Sequence, residues 1–335
     1  MKKKILISIP AYNEANNIRP LYEKLNETLE EKRDEVDFEI LFINDGSKDN
    51  TVSEVLSLIE QTDNVSLIDL SRNYGKEIAM SAGFDYSTHD AVITMDADLQ
   101  HPPATIIDMI DLWQQGYEDV YAKRNQRKGE SWLKKTSSKW FYKVLGKLAN
   151  TPVLPDAGDY RLLDRKVVEA LKQMRESQRY TKGLYNWVGF KKVAIEFDAD
   201  ERLHGETKWS FGALLKLAIE GITSYTTAPL KISMYFGFFL VSFVAFIYMI
   251  YVLIKTLIFG ADTSGFPSLM IMMLFLGGCQ LMSVGILGEY VGRVFIETKK
   301  RPLYFVENIY SLHDKKEKDE LKSTRRKDQS NEKDK

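Results

Sequence analysis

Four short apolar runs punctuate the N-terminal part of the chain: Lys4–Ile9, Phe38–Ile43, Val65–Leu70 and Ala91–Met95. Each is rich in Ile, Val, Leu or Phe, as expected of strands buried on both faces of a parallel sheet. Between them, Asn17–Lys32, Thr51–Gln61 and Gly75–Tyr86 predict helices, and Asp49-Asn50-Thr51 supplies N-cap chemistry for the second. Strands alternating with helices predict βαβ units and a mainly parallel sheet. Val193–Phe197 alternates instead, as a half-exposed strand does.

A different pattern follows. Ile232–Ile254 and Phe266–Gly288 are each 23 residues without a charge. At 1.5 Å per residue each spans about 34 Å, enough for the hydrocarbon core of a bilayer. The pair predicts a transmembrane hairpin over 231–292. Lys231 before it and Arg293, Lys299, Lys300 and Arg301 after it place both termini in the cytoplasm. Met1-Lys2-Lys3-Lys4 precedes only a short apolar run ending at Pro10, too short for a secretory signal.

Two more segments suit a membrane interface. Ser131–Leu148 carries Lys134, Lys135, Lys139, Lys143 and Lys147 without an acid, and its apolar residues fall near helical spacing. Residues 211–224 hold a second apolar stripe, just before the first span. From His313 onward, nine Lys/Arg and seven Asp/Glu leave almost nothing to bury, so that tail is expected to be disordered. Residues 1–230 are then a cytoplasmic domain, and 293–335 a cytoplasmic C-terminal segment. No internal repeat is present.

Composition narrows the chemistry. Mean hydropathy is −0.27, an average that conceals the two spans. Lys+Arg is 46 and Asp+Glu 47, which argues against a nucleic-acid partner. A lone cysteine, Cys279, and four scattered histidines make no disulfide, no cysteine zinc site and no HExxH pair. There is no GxGxxG after the first strand and no P-loop motif.

Ligands of open α/β sheets bind beyond the carboxyl ends of the strands. Here those ends carry Pro10-Ala11-Tyr12-Asn13-Glu14, Asn44-Asp45-Gly46-Ser47, Ser71-Arg72-Asn73-Tyr74-Gly75-Lys76 and Asp96-Ala97-Asp98-Leu99-Gln100. Four such clusters in register suggest one ligand-facing rim. The tripeptide Asp96-Ala97-Asp98 recurs as Asp198-Ala199-Asp200, so the pattern alone is weak. The first copy follows a buried strand and precedes Gln100-His101-Pro102-Pro103, which favours it as the metal site. Two carboxylates and an amide oxygen suit Mg2+ or Mn2+, completed by phosphate and water.

With Asp156-Ala157-Gly158-Asp159-Tyr160-Arg161-Leu162, Arg202-Leu203-His204-Gly205-Glu206-Thr207-Lys208-Trp209 and Gly288-Glu289-Tyr290-Val291-Gly292-Arg293, these motifs resemble family 2 glycosyltransferases of the GT-A fold. Within that family they resemble bacterial polyprenyl-phosphate glycosyltransferases and, more distantly, dolichol-phosphate mannose synthases. The resemblance extends to about residue 310. It implies a Rossmann-like GT-A domain, a mainly parallel sheet with flanking helices, beside two transmembrane helices. The QxxRW signature of processive synthases is missing, which favours transfer of a single sugar. The family's Asp-Thr-Gly-Asp-Phe-Arg pattern is changed here at Ala157 and Tyr160.

The resemblance implies roles. Asp96, Asp98 and Gln100 would hold the metal, and Asp98 would also serve catalysis. Pro10, Tyr12, Glu14, Asp45, Lys76 and Asp96 would bind the nucleotide, Tyr12 by stacking and Asp45 by accepting from the base. Arg124, Arg127, Arg161, Arg202 and Lys208 are the candidate phosphate-binding cations, of which the resemblance favours Arg202 and Lys208. Asp156 or Asp159 would position the acceptor or sugar. A phosphate monoester is already largely ionised at neutral pH and asks little of a general base. The implied reaction inverts the anomeric centre, with a nucleotide-sugar donor (UDP in the bacterial branch) and a polyprenyl-phosphate acceptor at the cytoplasmic membrane. A separate flippase and a downstream glycosyltransferase would complete the route. Gly277-Gly278 and Gly285/Gly288 leave homo-oligomerisation open. The alternatives are a different lipid acceptor, a nucleotidyltransferase releasing pyrophosphate, and a sensor that binds donor without turnover.

Overall fold

The structure, a computed structural model, describes residues 2–124, 157–177, 179–197, 230, 242–259 and 265–311. The chain divides into two compact units. One comprises residues 1–136, 154–208 and 302–335, and the other 137–153 and 209–301.

The first unit contains an eight-stranded sheet among the described residues, with order β7-β5-β6-β4-β1-β2-β3-β8. Its strands are β1 (Lys3–Ala11), β2 (Val36–Asn44), β3 (Val65–Leu70), β4 (Ala91–Thr94), β5 (Asp119–Arg124), β6 (Ala157–Asp164), β7 (Lys192–Phe197) and β8 (Val306–Tyr310). Strands β1 to β4 pair in parallel. β6 runs antiparallel to β4 and β5, and β8 runs antiparallel to β3.

Alternation along β1 splits the core in two. Ile5, Ile7 and Ile9 face α1 (Ala15–Leu29), α2 (Thr51–Gln61) and α4 (Thr105–Gln114). Leu6 faces α3 (Lys76–Tyr86), α5 (Arg165–Gln173) and α6 (Thr181–Trp187) on the other side. Side chains of period two on each strand thus meet helices on both faces, which is why these strands read as continuous apolar runs. α3 packs close against β1: a Cβ on Gly83 would stand 2.1 Å from Ser8 Oγ.

The expected elements of the N-terminal half are all present, with small shifts. The helix expected from Asn17 begins at Ala15, and Glu30–Lys32 closes as a 3-10 turn. The Asp49-Asn50-Thr51 segment does supply the cap of α2, through Asp49. Asn50 makes no side-chain cap, and Asp49 instead accepts from the Thr51 and Ala15 N–H groups at 3.0 and 3.2 Å. β5, β6 and β8 were not anticipated, nor were α4, α5 and α6.

In the second unit, α7 (Ser242–Phe259) and α8 (Phe266–Thr298) are described. Within α8, Phe275–Thr298 is long and apolar enough to cross a membrane, the one such helix among the described residues. The second expected span therefore lies within a helix that runs ten residues further, to Thr298. Of the first, Ile232–Ile254, only the part from Ser242 lies in a described helix. The two interfacial segments, the Asp198-Ala199-Asp200 repeat and the tail from His313 lie outside the described residues.

Candidate active site

Register brings the strand ends level. Ala11 lies beside Asn44, Asn44 beside Asp69, and Ser8 beside Thr94. The loops that follow are tied together by polar contacts. Asp45 N–H donates to Ala11 O at 2.9 Å, Asn13 N–H to Ser47 Oγ at 2.9 Å, and Lys48 N–H to Asn13 Oδ1 at 2.8 Å. Asn44 is pinned from both sides, donating to Asp69 at 2.6 Å and accepting from Ser47 N–H at 3.1 Å. Gly46, at φ +67°, lets the loop after β2 meet the loop after β3: a Cβ there would stand 2.5 Å from Arg72 C and Asn73 N.

These loops enclose an open cleft of about 290 Å³. Pro10, Tyr12, Glu14, Asp45, Lys76, Asp96 and Asp98 line it, together with Ala11, Asn73, Gly75 and Ala97. The structure therefore gathers most of the residues singled out from the strand ends. Tyr12 is 44% exposed, open to a planar ligand. Asp45 is buried, and its two oxygens accept from Tyr74 and Gly75 N–H at 2.7 and 2.9 Å. Burial raises its pKa, against those two bonds. These bonds tie the Asp45 carboxylate to the loop that begins α3. Glu14 is also raised, by burial first, with repulsion from Asp98 and Asp96 adding; the Asn17 amide at 2.5 Å opposes the shift.

The Asp96–Pro103 loop is anchored by packing. Leu99 buries its side chain at φ +60°, a conformation that costs a non-glycine residue unless its surroundings hold it. His101 Nδ1 accepts from Asp96 N–H at 3.2 Å, and its ring stacks on Tyr160 at 4.6 Å. Burial depresses the His101 pKa, although Asp96 and Asp98 pull the other way, so the ring is held neutral and able to accept. Tyr160 OH donates to Pro102 O at 2.8 Å. His101 and Tyr160 stood in the sequence motifs but had no expected role; both act on the backbone carrying Asp96.

Lys76 joins two strands' carboxylates. Its ammonium lies 2.6 Å from Asp96 Oδ1 and 3.0 Å from Asp159 Oδ2. Burial disfavours its charge, but the two carboxylates outweigh this and hold its pKa well above the ordinary lysine range. Burial likewise pushes the Asp159 pKa up, yet Lys76, Lys182 and Arg161 together bring it below the usual carboxylate range. Asp159 Oδ1 is buried with no hydrogen-bond partner among the described residues.

Among the described residues, no three His, Cys, Asp or Glu side chains form a ready-made metal cage. The donor set still suits a hard cation. Asp96 and Asp98 face a cleft open enough for phosphate and water to supply the remaining ligands. Asp96 already attracts a cation, the Lys76 ammonium. Gln100 contributes its N–H to Asp98 Oδ1 at 3.2 Å, but its side chain does not line the cleft.

Arg161 departs from expectation. Its guanidinium points into the core, donating to both Asp119 oxygens at 3.1 Å and to Gly158 O at 2.8 Å. Tyr185 covers it at 3.7 Å. Both terminal nitrogens are engaged there and Nε is buried with no hydrogen-bond partner among the described residues, so the guanidinium is directed into the core; Asp119 was the partner the sequence did not reveal. Arg124 ends β5, and its side chain is not among those described. Asp156, Arg127, Arg202 and Lys208 lie outside the described residues.

Residues 6–172 match the family model for glycosyl transferase family 2. The chain is 44% identical to an uncharacterized glycosyltransferase of Synechocystis sp., covering 93% of this chain and 97% of that protein. It is 44% identical to the prophage bactoprenol glucosyl transferase homolog of Escherichia coli K12, covering 91% and 99%. It is 42% identical to the bactoprenol glucosyl transferase of Shigella phage SfV, covering 91% and 98%. Among solved structures, a mannosyltransferase from Pyrobaculum calidifontis in complex with GDP-Man and Mn2+ is 15% identical, with a TM-score of 0.45, covering 85% of this chain and 88% of that one.

Proposed function

The chain belongs to glycosyl transferase family 2 and is a glycosyltransferase, and from that premise we propose that it moves one sugar from a UDP-sugar to a polyprenyl phosphate at the cytoplasmic face of a membrane, with inversion. The observation that carries this reading is the cleft, where Tyr12, Asp45, Lys76, Asp96 and Asp98 line one space at the carboxyl ends of the parallel strands. A planar base, a diphosphate and a divalent ion each find a chemical counterpart there. The lipid acceptor is supported by relatives named bactoprenol glucosyl transferase that match over nine-tenths of both chains.

Asp96 and Asp98 would hold Mg2+ or Mn2+, with Gln100 joining them only if its side chain turns into the cleft, and the bound ion would stabilise charge developing on the departing diphosphate. Tyr12 would stack on the base, and Glu14 and Pro10 would close the nucleotide side. Lys76 would share the phosphate charge, with Arg124, Arg127, Arg202 and Lys208. Asp159, held below the usual carboxylate range, is a weak base and suits positioning better than proton removal. That agrees with an acceptor phosphate that is already ionised. Asp156 is the second candidate at the acceptor.

The membrane arrangement is part of the same proposal. Large apolar side chains of α8, among them Leu281, Met282, Val284 and Val291, are exposed. A bilayer would cover them, and with a first span over 232–254 leading outward, α8 would return the chain to the cytoplasm. Residues 1–230, with interfacial helices near 131–148 and 211–224, would form the catalytic domain. A separate flippase would move the product outward.

The test incubates detergent-purified protein with labelled UDP-sugars, undecaprenyl phosphate and Mg2+ or Mn2+, then extracts lipid. Label should enter the organic phase and be lost with EDTA and with Asp98→Ala, at least 100-fold if the ion carries the leaving-group charge. Donor binding without label in lipid would rule out the polyprenyl-phosphate acceptor.

A further inference from the structure

Lys76 stands where a divalent ion would be expected to compete with it. Its ammonium holds Asp96 Oδ1 at 2.6 Å, on the same carboxylate assigned to the metal. A divalent cation and an ammonium on one carboxylate repel each other at short range, and the site's partial burial strengthens that repulsion. The lysine has somewhere to go. Asp159 Oδ2 already lies 3.0 Å away, and the other oxygen of that carboxylate is buried and has no hydrogen-bond partner among the described residues. The Lys76 side chain is 40% exposed, which leaves open space beside it in the cleft, whereas that of Asp159 is 11% exposed, on β6.

We infer that Lys76 competes with a divalent cation for Asp96, holding that carboxylate until the cation displaces the ammonium onto Asp159. This rests on the metal reading of Asp96 and Asp98 and adds the residue that competes for the site. Without Lys76, the carboxylates of the cleft would repel one another and lie open to any cation. With it, metal binding by the free enzyme is weakened by whatever it costs to move the ammonium. A nucleoside diphosphate changes that balance, because it offers the displaced ammonium a new anion beside the metal. Metal and nucleotide then bind cooperatively, each raising the affinity of the other by the same factor. The cleft is thereby biased against holding a metal without a donor.

The experiment titrates Mn2+ into the full-length protein in detergent, following free Mn2+ by electron paramagnetic resonance, with and without UDP. Lys76→Gln should bind Mn2+ about 10-fold more tightly than the parent without UDP, a shift of about 1.4 kcal/mol. The tightening that UDP gives the parent should shrink in that variant. Lys76→Arg keeps the charge and should bind Mn2+ as weakly as the parent; it also controls for folding, as a thermal midpoint near the parent's would show. A merely structural lysine would leave Mn2+ affinity unchanged or lower it on removal, and either result in folded Lys76→Gln overturns the inference. The metal reading fails separately: Mn2+ binding that survives Asp98→Asn in the parent would place the ion elsewhere, whatever Lys76 does.

Discussion

Arg161 carries a full charge into the core. Its side chain is 3% exposed and that of Asp119 is 0% exposed, with Lys192 a second cation at 3.5 Å from Asp119. Removing one member of a buried pair costs about 3–5 kcal/mol when the other is left unpaired, and here Lys192 stays beside Asp119 and lessens that loss, bringing it to about 3 kcal/mol or below. Arg161→Met should therefore lower stability by about that much, read from the denaturation midpoint. Weaker donor binding at unchanged stability would return Arg161 to a phosphate role. Gly46 is the opposite case, a residue valued for what it lacks. Gly46→Ala would force a Cβ against the backbone of Arg72 and Asn73 at a left-handed φ, for a loss of about 1–3 kcal/mol. The loops lining the cleft should separate, so UDP affinity should fall, measured by calorimetry; unchanged affinity would show that the two loops move independently. Residues of the cleft could be found from sequence because strand ends converge by topology. The Arg161–Asp119 pair could not, because 42 positions separate the two and nothing in the sequence says that a charge within a strand turns inward.

At the scale of elements, the strands that were legible are those covered on both faces. Burial of every side chain in β4 leaves an apolar run with no other explanation. β8 is Val306-Glu307-Asn308-Ile309-Tyr310, exposed at its centre, and its polar residues hide it among loop sequences. The direction of β6 was equally hidden, because a buried strand reads the same whether its neighbour is parallel or antiparallel. Side-chain bonds help hold β8 in place. Tyr304 OH donates to Asp85 Oδ2 at 2.7 Å, and Arg175 pairs with the same carboxylate at 2.8 Å. Ser71 N–H reaches Phe305 O at 3.0 Å. Tyr304→Phe should cost about 1.5–3 kcal/mol, the range for a bond to a charged group. A lower thermal midpoint would register it, whereas an unchanged midpoint would mean that strand pairing alone secures β8.

For the whole molecule, the apolar stretch was legible and its end was not. α8 has 33 residues and spans about 50 Å, well beyond a hydrocarbon core of about 30 Å. Charges at Glu289 and Arg293 lie one turn apart and pair at 3.0 Å, so the helix continues through them where the apolar run stops. Cys279, the one cysteine of the chain, sits inside the apolar stretch. If that stretch crosses a bilayer, a membrane-impermeant maleimide should leave Cys279 unlabelled in sealed membranes and label it after denaturation. Full labelling of intact membranes would rule out the span at that position.

The place of β8 also has a consequence in time. Val306 follows Leu70 by 236 positions, yet the two lie side by side in the sheet. At about 5–20 residues per second, a ribosome needs roughly 10–50 s to travel from one to the other. Throughout that interval the edge of β3 has its backbone donors and acceptors unpaired, an invitation to other strands. Both α7 and α8 are synthesised before the edge is closed. A chain released early, at any codon between them and residue 306, would carry an open sheet edge that quality-control machinery can recognise.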